Sequence, residues 1–519
     1  MHLSRAAGAP PRAAATAALP AWAIALGAWA LLVLGIAGAM LALPHGAIFY
    51  TLDDPYIHLA LAERIALGHY GINLGEVTAP SSSVLWPFLL VPGAGEPWHV
   101  WLPLGIDLAC GAATAVLLGR LVDRLPWGPG TLWARAALAV LLVLAGNLAA
   151  LAFTGMEHNL QVLLAAACAW GVAEAMRGRP VPLWCLAAAA IGPAVRYEML
   201  ALVGALMIAL AGQRRWGAAA GLLLAALVLP VGFGAWLVSQ GLPPLPNSVL
   251  AKADAYAGSA GLAGKLAELL GNLGALFVNP RRWPYLALTA LLAALALRAP
   301  PVQRWPLLGA VAALGLHALV GKFGWFFRYE VYAALFGALV LVTALAAASR
   351  PWRIAGALVV LGLGLAQAPA NLLSPRAAQN IQDQHYQMHR FVAEFWKQDV
   401  AVNDLGWVSY RIDPHVYVLD LYGLASNEAL REPNKDAAWL AQVVGRHGIR
   451  FAMLYPWWFK GIPDSWVVVG RLWLSGTRVA SNGDNVTFYA TDPAAAPELR
   501  EKLATFARTV PEGVRVEIH

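Results

Sequence analysis

Residues 18–54 read ALPAWAIALGAWALLVLGIAGAMLALPHGAIFYTLDD, a run without Lys, Arg, Asp or Glu until it closes on Asp53 and Asp54. A helix needs about 20 apolar residues to cross the hydrocarbon of a bilayer, and this run supplies them. It is too long for the apolar core of a leader peptide. The sequence therefore predicts a retained first span, with Arg5 and Arg12 holding the N-terminus in the cytoplasm. The rest of the chain repeats this character. It has 59% hydrophobic and 13% charged residues, against about 25% charged in soluble domains, so the protein is integral to a membrane.

Apolar runs near 99–121, 131–153, 157–176, 182–195, 198–212, 217–239, 284–299, 304–322, 327–347 and 353–371 predict eleven spans with the first. Short gaps carrying Arg120, Arg124 and Arg135, Arg177 and Arg179, Arg214 and Arg215, Arg298 and Arg304, and Arg350 and Arg353 all fall on the side of the N-terminus. That bias is the positive-inside pattern, and it accounts for the net charge of +7 without a nucleic-acid partner. An odd number of crossings puts the C-terminus outside, in the periplasm if the membrane is a bacterial inner membrane. SSSVLWPFLLVPG, 81–93, is too short for a comfortable span and is read as half-embedded or lying on the outer surface.

From about Ser374 the pattern changes. RAAQNIQDQHYQMHRFVAEFWKQ reads as an amphipathic helix, and VAVND, HVYVLD, IRFAML, WVVVG and NVTFYA read as strands, with a helix at DAAWLAQVVGRHG. The predicted fold is thus a polytopic α-helical membrane module over 1–373, with a first outer loop at 44–98, followed by an extracytoplasmic α/β domain over 374–519. Cys110, Cys168 and Cys185 all lie in apolar runs, which leaves neither a disulfide framework nor zinc spacing. GLGLAQ, 362–367, lies within a span and reads as packing glycine, not a dinucleotide loop.

On this topology the polar residues of the bundle gather on the outer face. In TLDDPYIHLALAERIALG, Asp54 suits a helix N-cap, Pro55 the first helical position and Gly68 the C-terminal end. Capping explains one aspartate and leaves Asp53 over. A carboxylate there can be the proton-coupling acid of a transporter, a metal ligand or a general base.

The order of several short motifs resembles membrane-embedded glycosyltransferases of the GT-C class, near the mycobacterial terminal arabinofuranosyltransferases and their bacterial relatives. Asp53-Asp54-x-Tyr56-Ile57, "ALGHYGINLGE" and "APSSSVLWPFLL" look like the family's first outer loop. Thr154-Gly155-Met156-Glu157 is similar to its "SGLET" element, Val195-Arg196-Tyr197-Glu198 to "TRPEG", and Leu245-Pro246-Asn247-Ser248 with Lys252 to "LPNT…K". Arg328-Tyr329-Glu330 stands where the family has an Arg-Tyr or Arg-Phe pair, and "NDLGWVSY…VLDLYGLAS" near 403–426 is similar to its outer-domain pattern. The chain departs from it at Tyr197 in place of proline, at His158 in place of a common threonine, and at Gly321-Lys322-Phe323-Gly324 in place of an acidic "GGD". Those departures bear on the donor sugar.

The resemblance implies a GT-C-like fold and transfer from a polyprenyl-phosphate sugar to a glycan, lipid or protein acceptor, with no cofactor, although a divalent metal fits the chemistry. It implies Asp53 and Asp54 as the catalytic pair, with Glu157, Arg196, Glu198, Asn247, Lys252 and Arg328 binding the donor. Each also has a structural reading. Glu157 with His158 can cap a span, and Arg196 and Glu198, two residues apart, share no helix face and so take partners elsewhere. Lys252 can reach lipid headgroups, Arg328 can brace the bundle against an outer carboxylate, and Asn247 suits a turn. Tyr455, Trp457 and Trp458, taken as exposed, are candidates to stack on acceptor sugars or to seat the domain at the membrane interface. His385 and His389 have metal-face spacing, but with no placed carboxylate they read as a solvated helix surface. The competing function is a secondary transporter with a polar pathway through Asp53, Glu157 and Arg328.

Overall fold

The computed structural model describes residues 19–44, 46–128, 131–251 and 261–519. Helix α1, Ala21–Leu41, is apolar on every face, and Leu31 and Leu34 lie open on its outside. That pattern suits a helix whose outer face meets lipid. After a loop, α2 (Asp54–Ala66) and the five-residue α3 (Trp86–Leu90) fall within 44–98, called the first outer loop after its expected side. The stretch 81–93 thus holds a short helix and a 3-10 turn, with no crossing element.

The bundle continues with α4 (Leu102–Asp123), α5 (Leu132–Ala145), α6 (Leu148–Ala152), α7 (His158–Met176), α8 (Leu183–Val195), α9 (Leu200–Gly212) and α10 (Trp216–Ser239). It then adds α11 (Gly261–Val278), α12 (Trp283–Arg298), α13 (Pro301–Val320), α14 (Val331–Ala344) and α15 (Arg350–Asn380). Each predicted apolar run meets a helix, and α11 is an element the sequence reading omitted. Among the described residues six helices are long and apolar enough to cross a membrane. The predicted count of eleven is not confirmed by that measure, since runs such as α8, at 13 residues, give only about 20 Å of helix.

Small residues let the helices approach. A Cβ on Gly119 of α4 would lie 2.1 Å from the Cα of Trp22 on α1, so this contact admits only glycine. Helix α7 is enclosed by its neighbours along nearly its whole length. It is the centre of the bundle, and the site is built at its N-terminal end.

Helix α15 does not stop at 373. It runs on through two π-helical stretches, Ile381–His385 and Phe391–Trp396, into the C-terminal domain, called the outer domain after its expected side. There Phe391 packs on Phe451, Phe488 and Phe506 at ring separations of 5.3, 5.4 and 5.3 Å. The domain's sheet has six strands, β1 (Val400–Val402), β2 (Val418–Asp420), β3 (Phe451–Leu454), β4 (Val467–Trp473), β5 (Asn485–Ala490) and β6 (Arg515–Ile518). Their order is β2-β1-β3-β5-β4-β6; β1 lies parallel to β2 and β3, and the other pairings are antiparallel. The five predicted strands are present, and β6 is additional.

The edge strand β2 is capped by the first outer loop. Asn73 donates its amide to the carbonyl of Val418 at 3.0 Å and accepts from the Val418 N–H at 2.9 Å. One side chain thus satisfies both free backbone groups of an edge residue, which would otherwise invite another strand.

Candidate functional site

Asp53 and Asp54 adjoin in sequence and face different partners. Asp53 occupies the N-cap position of α2, but its side chain makes no cap bond there. Its Oδ2 accepts from the N–H of Gly406 at 2.7 Å and its Oδ1 from the N–H of Trp407 at 2.9 Å. The capping role expected of Asp54 is not what employs this pair. Asp53 instead caps a short helix of the outer domain, α16 (Gly406–Ser409). Removal from water raises its carboxyl to about 6, His385 pulls it back down, and Asp404 adds to the rise.

Asp54 turns to the bundle. Nη2 of Arg328 meets its Oδ2 at 2.5 Å. Arg328 is 1% exposed, and its Nε and Nη1 have no hydrogen-bond partner. Four residues in the left-handed region lead into it: Gly324 at φ 86°, Trp325 at 44°, Phe326 at 61° and Phe327 at 59°. For a non-glycine residue that conformation costs about 1–2 kcal/mol, so this turn stores strain beside the arginine. The N–H of Gly324 donates to Oε2 of Glu330 at 2.9 Å and closes the turn.

Arg196 begins where α8 ends. Its backbone is extended, at φ −153° and ψ 130°, which swings its side chain away from the helix face. Nη1 reaches Oε1 of Glu157 at 2.8 Å, while Nε and Nη2 grip Glu198 at 3.2 and 2.6 Å. The expectation of separate partners for Arg196 and Glu198 is therefore corrected: they pair directly, because the chain between them leaves the α-helix. Glu157 also lies 4.0 Å from His58. The Tyr329 ring stands between the two arginines, 5.8 Å from Arg196 and 5.1 Å from Arg328. Asp54, Glu157, Arg196, Glu198 and Arg328 thus form one connected cluster.

The remaining predicted residues lie elsewhere. Asn247 is buried and donates to Oδ1 of Asn427 in the outer domain at 3.0 Å. Lys252 lies outside the described residues. Tyr455, taken as exposed, is 1% exposed and donates to Gln384 at 2.5 Å. Trp457 is open at 56% and stacks on Tyr455 with ring centroids 5.2 Å apart, while Trp458 is half-buried. Only the tryptophans keep a face for a ligand.

The reading of His385 as a solvated surface residue is overturned: it is 3% exposed. Its Nε2 lies 3.3 Å from Oδ2 of Asp404, and among the described residues Asp53, His385 and Asp404 form the group whose donor atoms suit a metal ion. The carboxylates come from other segments, which helix spacing alone does not disclose. Sequence reasoning also passed over Asp107 in α4, which is fully buried. An acid inside an apolar run was signal enough.

Residues 379–489 match a family described as a domain of unknown function, DUF8728, which covers less than half of the chain. No curated protein matches. Among solved structures the archaeal oligosaccharyltransferase AglB from Archaeoglobus fulgidus, in complex with an inhibitory peptide and a dolichol-phosphate, is similar over 91% of this chain and 74% of that one, at 11% identity and a TM-score of 0.43. A likeness so distant carries no argument about this chain. The site must be read from its own residues.

Proposed function

We infer that this multi-pass chain is an inverting glycosyltransferase that moves a sugar, arabinofuranose on the motif resemblance, from a polyprenyl-phosphate donor to an acceptor outside the cytoplasm. The observation that carries the reading is Arg328. A guanidinium enclosed in an apolar bundle, held by one carboxylate and with Nε and Nη1 unbonded, suits a phosphate whose lipid tail lies among the same helices. Arg196 is bound to two carboxylates and is assigned the task of holding Glu157 and Glu198.

On this reading Asp53 takes the proton of the acceptor hydroxyl as its oxygen bonds to the anomeric carbon. The bond from that carbon to the phosphate oxygen breaks, and the lipid phosphate leaves with the electron pair. Arg328 offsets the charge that grows on the phosphate. Trp457, exposed beside the outer domain's Tyr455, offers a stacking face for an acceptor sugar.

The test supplies detergent-purified protein with a panel of polyprenyl-phosphate sugars and follows lipid-phosphate release by wild type and Asp53→Asn. Release from one donor, slowed about 10²- to 10⁴-fold in the variant, is expected for loss of a base. Release from no donor, or equal release by both proteins, would overturn the assignment. One observation favours the second reading, a transporter: Asp107, an acid fully buried within an apolar helix, is a residue a proton pathway would use. Substrate uptake by sealed vesicles that Asp107→Asn abolishes would decide for it.

A further inference from the structure

Asp53, His385 and Asp404 come from three separate segments: the first outer loop, the helix leaving the membrane, and the loop after β1. Each offers one donor atom, and the three atoms lie within 4.8 Å of one another. The geometry points to a divalent-cation site that joins the first outer loop to the outer domain. It touches the transferase reading only by sharing Asp53.

Charge and spacing agree. With the imidazole neutral and both acids ionised, as metal ligands must be, the group would present two negative charges, which a divalent ion balances. Elsewhere the buried Arg196 closes on Glu157 at 2.8 Å, while the buried His58 stands 4.0 Å from the same carboxylate. His385 and Asp404 stay at 3.3 Å. That is long for a charge-assisted hydrogen bond. It is close to the separation of about 3.4 Å between two ligands that each sit about 2.1 Å from a tetrahedral ion.

The imidazole supplies an independent sign. His385 is 3% exposed, and its Nδ1 has no hydrogen-bond partner, which leaves a buried ring nitrogen with its bonding capacity unmet. His385 also closes a π-helical stretch, Ile381–His385. Such stretches shift the helix register and commonly re-aim a functional side chain.

Asp53 has capacity for both tasks. An ionised carboxylate offers about four lone-pair sites, and the N–H groups of Gly406 and Trp407 take two of them. One remains for the ion and one for the acceptor's proton. The two amides also set the carboxylate's orientation. Mixed oxygen and imidazole donors suit Mn²⁺ or Zn²⁺ better than Ca²⁺.

The full-length protein in detergent, stripped with chelator, is titrated with Mn²⁺ while free ion is followed by electron paramagnetic resonance, and then with Zn²⁺ in competition. One bound ion per chain is expected. His385→Ala and Asp404→Asn should each weaken binding at least tenfold, while Glu394→Gln, which alters the Arg390 pair on the same helix, should not. Absence of binding for both ions in wild type, or wild-type affinity in both variants, would overturn the site. Should His385→Ala not fold, the near-isosteric Asp404→Asn decides alone. Ion binding needs no sugar donor, so a chain that binds the ion but releases no lipid phosphate would sink the transferase reading and leave this one standing.

Discussion

The first outer loop and the segment from Gly321 to Glu330 deliver charge to neighbouring places by opposite means. The loop is held from outside. Asp53 binds Gly406 and Trp407, Glu63 accepts from the N–H of Arg411 at 3.2 Å, Asn73 caps Val418, and Glu76 accepts from the N–H of Asn427 at 2.8 Å. The late segment is held from within, by a left-handed turn that Glu330 closes. The difference teaches that docking can be lost while the bundle stays intact, whereas Arg328 depends on its own strained approach.

The comparison breaks most severely if the bundle's charges are not mutually dependent. Glu157 is fully buried against Arg196, and removing one partner of a buried pair costs about 3–5 kcal/mol. Glu198 still grips the arginine, so Glu157→Gln should lie near about 3 kcal/mol, read as thermal unfolding in detergent. A variant as stable as wild type would show that the cluster is not a structural unit.

Next in size is Arg328→Met. Asp54 is 35% exposed at its side chain and can be solvated alone, so the loss should fall on activity. Removing a donor that stabilises developing charge costs about 10²- to 10³-fold. Lipid-phosphate release should drop by that amount while unfolding moves little. The reverse outcome would make Arg328 a brace.

Much of this contrast was legible in sequence, and unevenly so. The aspartate pair, Glu157, Arg196 and Arg328 stand out because each is a charge beside an apolar run, where burial is costly without a partner. Their pairings were not legible: Arg196 and Glu198 meet because the backbone turns extended at Arg196. The left-handed turn gave no signal, since Trp325, Phe326 and Phe327 carry no preference for positive φ. Asp404 and Gly406 lie in the NDLGWVSY stretch that carried the resemblance, but their roles were hidden, because these come from contact with Asp53, about 350 positions earlier. Strand β6 was missed for a simpler reason. It is short and lies at the sheet edge, where none of its four residues is fully buried.

Two smaller effects sharpen the docking side against the strained side. A Cβ at Gly406 would lie 2.2 Å from the Asp53 carbonyl oxygen and 2.4 Å from Oδ2. Gly406→Ala should therefore loosen the outer domain by about 1–3 kcal/mol, visible as faster proteolysis between the domain and the bundle. Unchanged proteolysis would mean the seat is softer than its geometry. On the other side, Phe326→Gly removes left-handed strain at a site with φ 61°. It should raise stability by up to about 1 kcal/mol and lower the rate of release, because the approach to Arg328 is freed.

The smallest effect concerns Glu63, which burial raises above its ordinary 4.5 and which the Arg411 N–H and charge pull back. A raised carboxyl binds its proton more tightly in the folded than in the unfolded protein. Its contribution to stability is therefore fullest below pH 4.5 and declines as pH rises through the raised value. Glu63→Gln cannot ionise, so it should be more stable than wild type at pH 7, by no more than about 1 kcal/mol, and the two should converge near pH 4. A gap of equal size at both pH values would show that Glu63 acts through its hydrogen bond to Arg411 alone, and the loop would then owe its place to polar contacts whose strength does not follow pH.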